Sequence, residues 1–210
     1  MLNSDYARLR ILEAAYDLFG KCGYAATTVR MIAQQADESL SAIPYYFESK
    51  DNLFRQVVEG SVREFAQYFE PTLQEINGFL ARPQHETETA KALLLKLANK
   101  HLDYVLDPKN DKQMRLFFQL RSSFDSPVMQ DSPFSMSTIP PLVALFQILR
   151  PELAQEDATI LAYSIIGEQL FFFYHRPSVL AQLHIQEYGP AAKKRIRTVL
   201  MQKLEQELDA

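Results

Sequence analysis

Apolar residues recur every three to four positions along nearly all of this 210-residue chain, and that spacing restricts its regular structure to amphipathic helices. Ile11, Leu12, Ala15, Leu18 and Phe19 predict a helix over residues 7–20. Gly23 stands where a left-handed C-cap would fall, and Thr27 and Thr28 offer N-cap oxygens before Val29, Ile32 and Ala33 resume the pattern. The polar run Asp37, Glu38, Ser39 then interrupts it, and Leu40–Phe47 makes a third short segment with Ile43 and Phe47 facing inward. No segment alternates as a strand would, and no repeat of fixed period is present. The fold class is all-α.

Ser49 is placed to cap a fourth helix carrying Leu53, Phe54, Val57, Val58, Val62, Phe65 and Phe69, which Pro71 bends or ends. Residues 77–86 read as a connection, Leu93–Val105 as a fifth helix, and 111–124 as a sixth. Residues 125–140, with Pro127, Pro133 and Pro140 among serines, read as a mobile loop. Leu142–Leu149, 155–175 and 189–208 complete the helices.

Charge excludes one class of partner binding. With 26 acidic and 22 basic side chains the net charge is −4, so nucleic acid cannot be coated through bulk positive charge and any such contact has to be local. Even the first sixty residues carry more acids than bases, so contact would require Arg8, Arg10, Arg30 and Lys50 to cluster. The lone Cys22 cannot form an internal disulfide, and a secretory start is not evident, which predicts a cytoplasmic protein. The most apolar stretch, Ile160–Tyr174, is shorter than the roughly 20 residues of a membrane span and contains Glu168 and Gln169; no membrane partner is expected. The histidines, His85, His101, His175 and His184, lack metal-ligand spacing, so no metal or other cofactor is expected. Nucleophile elbows, phosphate-binding glycine loops and Glu-x-x-His pairs are lacking too, so an enzyme is not expected.

A short helix, polar turn and second short helix, braced by a preceding amphipathic helix, is the layout of a helix-turn-helix. Phe19, Gly23 and Tyr24, then Thr28-Val29-Arg30-Met31-Ile32-Ala33, Ser39, Tyr45-Tyr46-Phe47 and Ser49-Lys50-Asp51-Asn52-Leu53-Phe54 together resemble the TetR family of bacterial transcriptional regulators. Leu116–Arg121 leading to Ser126-Pro127, and Ile166–Phe172 leading to Arg176-Pro177, resemble the CerR-type C-terminal domain of one subgroup. The resemblance implies a homodimer with a helix-turn-helix domain at 1–50 for palindromic double-stranded operator DNA. A helical domain at 51–210 would dimerise and bind a small-molecule effector that releases a repressor. The alternative is a helical small-molecule carrier that keeps the scaffold without operator binding.

By the same resemblance, Thr28, Tyr45, Tyr46 and Lys50 match phosphate-contacting positions, to which the charge count adds Arg30, and Ser39, Leu40, Ser41 and Ala42 match the start of the recognition helix, with Leu40, Ser41, Ala42 and Tyr45 as the candidates for base edges. Short or apolar side chains there offer a hydroxyl and thymine-methyl contacts rather than an arginine fork. Asp37 stands where the family usually has glycine, Glu38 where an apolar residue is common, and Pro44 predicts a late helix start with Ser41 as the effective cap. Effector candidates are Leu97, His101, Phe117, Phe118, Arg121 and Phe124, with a salt bridge from Arg121 to Glu168 or Asp125 as the competing role of the arginine. The 155–175 helix is apolar on nearly every face, which points to a second buried face supplied by another subunit. Tyr163, Ile166, Gly167, Leu170 and Tyr174, with Ile196, Val199, Leu200 and Leu204, are the candidate dimer interface.

Overall fold

A computed structural model describes residues 2–122 and 137–209, with side chains from residue 5 and none for 121 and 122. Phe124, Asp125 and most of the expected loop at 125–140 lie outside the described residues. The helices are α1 (Leu2–Ala26), α2 (Val29–Ala36), α3 (Ala42–Phe47), α4 (Lys50–Leu80), α5 (Thr87–Leu106), α6 (Asp111–Ser122), α7 (Ile139–Leu149), α8 (Gln155–Tyr174), α9 (Arg176–Gln182) and α10 (Pro190–Leu208). No strand occurs among the described residues.

The chain divides into two compact units, Met1–Ala66 with Asp111–Pro133, and Gln67–Asn110 with Phe134–Ala210. In the first unit α1 packs on α2 and α6, burying Ile11, Ala15 and Phe19. Gly23 kinks α1 at φ 76°, ψ 170°. A Cβ there would come 2.9 Å from Gln119 Oε1, so both the backbone and the space demand glycine. The Thr27 hydroxyl donates to the Gly23 carbonyl at 2.7 Å and fixes the kinked end. Phe19 meets the Phe54 ring edge-on, with centroids 4.8 Å apart, and so joins α1 to α4.

Pro71 does not end α4, which continues to Leu80. Its ring is exposed while Phe69, Thr72, Ile76 and Phe79 are buried, so apolar burial on the opposite side offsets the roughly 3 kcal/mol that an interior proline costs. The expected connection shortens accordingly to 81–86. α7 begins at Ile139 rather than Leu142, with its prolines in the first turn, where an amide donor has no helical partner.

In the second unit α5 packs against α7, α8 and α10. Its polar tie to α8 is fully buried: His101 Nδ1–H donates to Gln169 Oε1 at 2.6 Å, and Gln169 Nε2 donates to the Ala98 carbonyl at 3.0 Å. Burial pushes the His101 pKa from 6.5 down to about 4, because a charged imidazole loses its hydration there. The folded protein therefore holds His101 neutral while the unfolded chain protonates it. Stability from this group is complete above pH 6.5 and declines as the pH falls toward 4. Urea unfolding at pH 7 and pH 4.5 tests this: the drop should exceed that of His101→Gln by about 2–3 kcal/mol, whereas equal drops would show that the ring is not buried neutral.

Candidate nucleic-acid interface

The α2–turn–α3 segment is built from local backbone chemistry. Thr28 caps α2, its hydroxyl accepting from the Met31 amide at 3.2 Å. Ile32, Ala33 and Ala36 face the core, and Arg30 on the other side is exposed. Asp37 ends α2 at φ 54°, ψ 48°, the left-handed conformation that aspartate tolerates better than most residues. The Glu38 amide then donates to the Ala33 carbonyl at 3.0 Å, closing the helix.

α3 starts late, as Pro44 predicts. Ser41 is its N-cap, the first α-type bond runs from the Tyr45 amide to the Ser41 carbonyl at 3.2 Å, and Pro44 occupies the third helical position, where no amide is needed. Glu48 leaves α3 at φ 65°, ψ −48°, and the Ser49 amide reaches the Phe47 carbonyl at 2.7 Å. This is a tight three-residue turn of the strained, positive-φ kind. Ser49 then caps α4, accepting from the Asn52 amide at 3.1 Å.

Ala42, Ile43 and Phe47 are buried, which turns the opposite face of α3 outward. Tyr45 is 79% exposed and Leu40 57%, and Thr28, Ser39, Ser41 and Pro44 are also exposed. Thr28, Arg30, Leu40, Ser41, Pro44 and Lys50 share one open depression. Tyr46 is half-buried, its ring edge-on to Tyr45 with centroids 4.8 Å apart. Ala42 faces the core and cannot serve as a base contact, because α3 begins at this residue and its first turn must cover the module's interior.

The expected cluster of free cations is largely committed elsewhere. Arg10 pairs with Glu38 and donates to the Ala36 carbonyl at 3.3 Å, so the carboxylate expected to repel phosphate is neutralised at the expense of a cation. Arg8 donates to Gln56 Oε1 at 2.6 Å and lies 5.1 Å from the Phe47 ring centre. Lys50 Nζ donates to the carbonyls of Tyr24 and Thr27 at 3.0 and 2.9 Å and sits 4.1 Å from the Tyr24 ring. Burial, reinforced by the hydrogen bond to Asp51, pushes the Tyr24 hydroxyl up to about 12, so it stays a donor at any physiological pH. Arg30 makes no hydrogen bond or ion pair among the described residues and is exposed.

Sequence reasoning treated Pro44 only as a helix breaker, whereas its exposed ring lines the same depression as Leu40. The other candidates separate. Leu97 and His101 are enclosed in the second unit's core, whereas Phe117, buried edge-on to Phe65, and Phe118, 46% exposed, belong to the first. The Arg121 side chain and Phe124 lie outside the described residues. Glu168 is held by Lys203 at 2.9 Å.

Of the expected interface residues, Ile166, Leu170, Ile196, Leu200 and Leu204 are buried within their own unit. They are core residues, because the inner face of α8 packs on α5 and α7 and that of α10 on α5. Tyr163, Gly167, Tyr174 and Val199 face outward, together with Ile160 and Phe171, which sequence reasoning passed over. Ile160, Tyr163, Gly167, Phe171 and Tyr174 share one helical stripe.

Among proteins compared with this chain, residues 11–57 match the family described as bacterial regulatory proteins, tetR family. The HTH-type transcriptional dual regulator CecR of Shigella flexneri is 32% identical over 95 residues, 45% of this chain and 42% of that protein. The probable HTH-type transcriptional regulator YttP of Bacillus subtilis strain 168 is 30% identical over 122 residues, 58% and 53% of the two chains. This chain thus spans about half the length of the curated relatives it matches. The crystal structure of a gamma-butyrolactone receptor, an ArpA-like protein, shares the fold with a TM-score of 0.57 at 19% identity, covering 99% of this chain and 100% of that one. Residues 11–57 are thus similar to the N-terminal domain of that family, and the described all-helical fold is shared with the solved receptor.

The bonds of Lys50 give it a structural role alongside any contact with DNA. Lys50→Met should lower stability by about 1–2 kcal/mol through loss of two charge-assisted bonds at a partly exposed site, read as a shift in the urea midpoint. An unchanged midpoint would return Lys50 to a purely ligand-facing role.

Proposed function

We propose that this protein is a TetR-type DNA-binding transcriptional regulator, a repressor released by a small-molecule effector and acting in the cytoplasm as a homodimer on double-stranded operator DNA. The observation that carries the reading is the division of α3 into a buried face of Ala42, Ile43 and Phe47 and an exposed face with Leu40, Ser41 and Tyr45 beside it, within the segment that matches the family. A helix packed wholly inside its subunit could not enter a major groove. Residues 1–50 would hold the DNA, and residues 51–210 the effector and the partner subunit. Arg30 and Thr28 would touch phosphates, and Tyr45, exposed beside them, would face the groove. A gamma-butyrolactone receptor uses this fold, which supports an effector-bound state without naming the effector. The matched relatives carry regulator names, which supports regulation over catalysis.

Fluorescence anisotropy on duplexes covering the region upstream of its own gene tests the reading. Binding should weaken with salt, and Arg30→Ala should reduce the salt slope by about one. Tyr45→Ala should weaken binding at least about fivefold with unchanged thermal stability, since the ring is largely outside the core. Absence of salt-sensitive binding to any such duplex would remove the assignment.

The subunit partner is proposed to cover the outward stripe of α8 and Val199 on α10. No atom lies within 4 Å of a Cβ built on Gly167, so the subunit itself tolerates a larger residue there. Gly167→Leu should keep or raise helix stability, by up to about 1 kcal/mol, while sedimentation shows the dimer weakened. A variant that dimerises as tightly as the natural chain would place the interface elsewhere.

A further inference from the structure

We propose that the outward surface of α3 reads thymine through its C5-methyl group, so that half-sites are specified by apolar contact from Leu40, Pro44 and Tyr45 rather than by bidentate hydrogen bonds. This rests on the DNA-binding reading above.

From Asp37 to Glu48 the chain contains no arginine, lysine, asparagine or glutamine, the side chains that grip guanine or adenine edges with two hydrogen bonds. Of the surrounding cations, Arg10 is held by Glu38 and Lys50 by two carbonyls, and Arg30, which stands on α2 rather than α3, is assigned to phosphate. Ser39 Oγ and Ser41 Oγ bond each other at 3.0 Å, so the pair keeps one proton for an outside acceptor. Of the three carboxylates, Glu38 is paired with Arg10, Asp37 stands at the C-terminal end of α2 before the turn, and Glu48 sits beyond the C-terminal end of α3.

What the surface does present is apolar. Leu40, in the turn before α3, is 57% exposed, and it lines the same depression as Pro44 in the first turn of α3. Tyr45 is 79% exposed and braced edge-on by Tyr46. Thymine's methyl is the apolar group that base pairs show in the major groove. Each methyl withdrawn from water by such a contact is worth about fourfold in affinity.

The test begins with selection of duplexes from a random-sequence library by the full chain. The recovered sequence is then resynthesised with deoxyuridine for thymine, one position at a time, which removes the methyl and leaves the pairing edge intact. The expected result is a loss of about fourfold at one or two positions in each half-site. Leu40→Ser should abolish the thymine–deoxyuridine difference at one of them, and Tyr45→Ser provides an independent second variant. Equal affinity of the natural chain for the thymine and the fully deoxyuridine duplexes would overturn the proposal while leaving DNA binding intact. Recovery of half-sites without thymine would do the same. A library that yields no bound duplex would remove the DNA-binding reading itself, and this inference with it.

Discussion

The inward packing of Ala42, Ile43 and Phe47 is the constraint on which the outer surface depends. α3 has only six residues, too few to hold a helical shape in water, so its shape and direction come from what it buries. The flanking turns make that burial possible: the left-handed Asp37 closes α2, and the strained turn at Glu48 redirects the chain into α4. With the inner face fixed, Leu40, Pro44 and Tyr45 have nowhere to go but outward.

Electrostatics around this surface follows the same economy. The module is slightly acidic, and its positive groups mostly hold the scaffold together. Arg10 ties α1 to the turn through Glu38, Arg8 covers Phe47, and Lys50 binds the carbonyl end of α1. A surface left with Arg30, hydroxyls and apolar side chains would attract a duplex weakly at long range and would depend more on close fit in the groove. The two acids that looked repulsive in the sequence differ in consequence: Glu38 is neutralised by Arg10, while Asp37 is exposed and supplies a backbone conformation.

Much of this was legible in the sequence because it depends on local rules. The late start of α3 followed from the missing amide of Pro44, the turn from the tolerance of aspartate for positive φ, and the cap of α4 from Ser49. Continuation of α4 through Pro71 was not legible, because a proline's local cost is outweighed only by burial on the far side of a long helix. The inner and outer faces of α8 were also misassigned in part. A helix apolar all round carries no phase, so Ile166 and Leu170 could not be told from Ile160 and Phe171 until α5 and α7 were in place. The structural role of Lys50 was hidden for a related reason: the carbonyls it holds belong to residues more than twenty positions earlier.

Hydroxyl-radical footprinting of the free and duplex-bound protein, read by mass spectrometry at individual side chains, addresses the central claim most directly. Leu40 and Tyr45 should oxidise readily in the free protein and be protected when duplex binds, while Ile43 and Phe47 stay unreactive in both. Bound duplex that leaves Leu40 and Tyr45 as reactive as before would contradict the account.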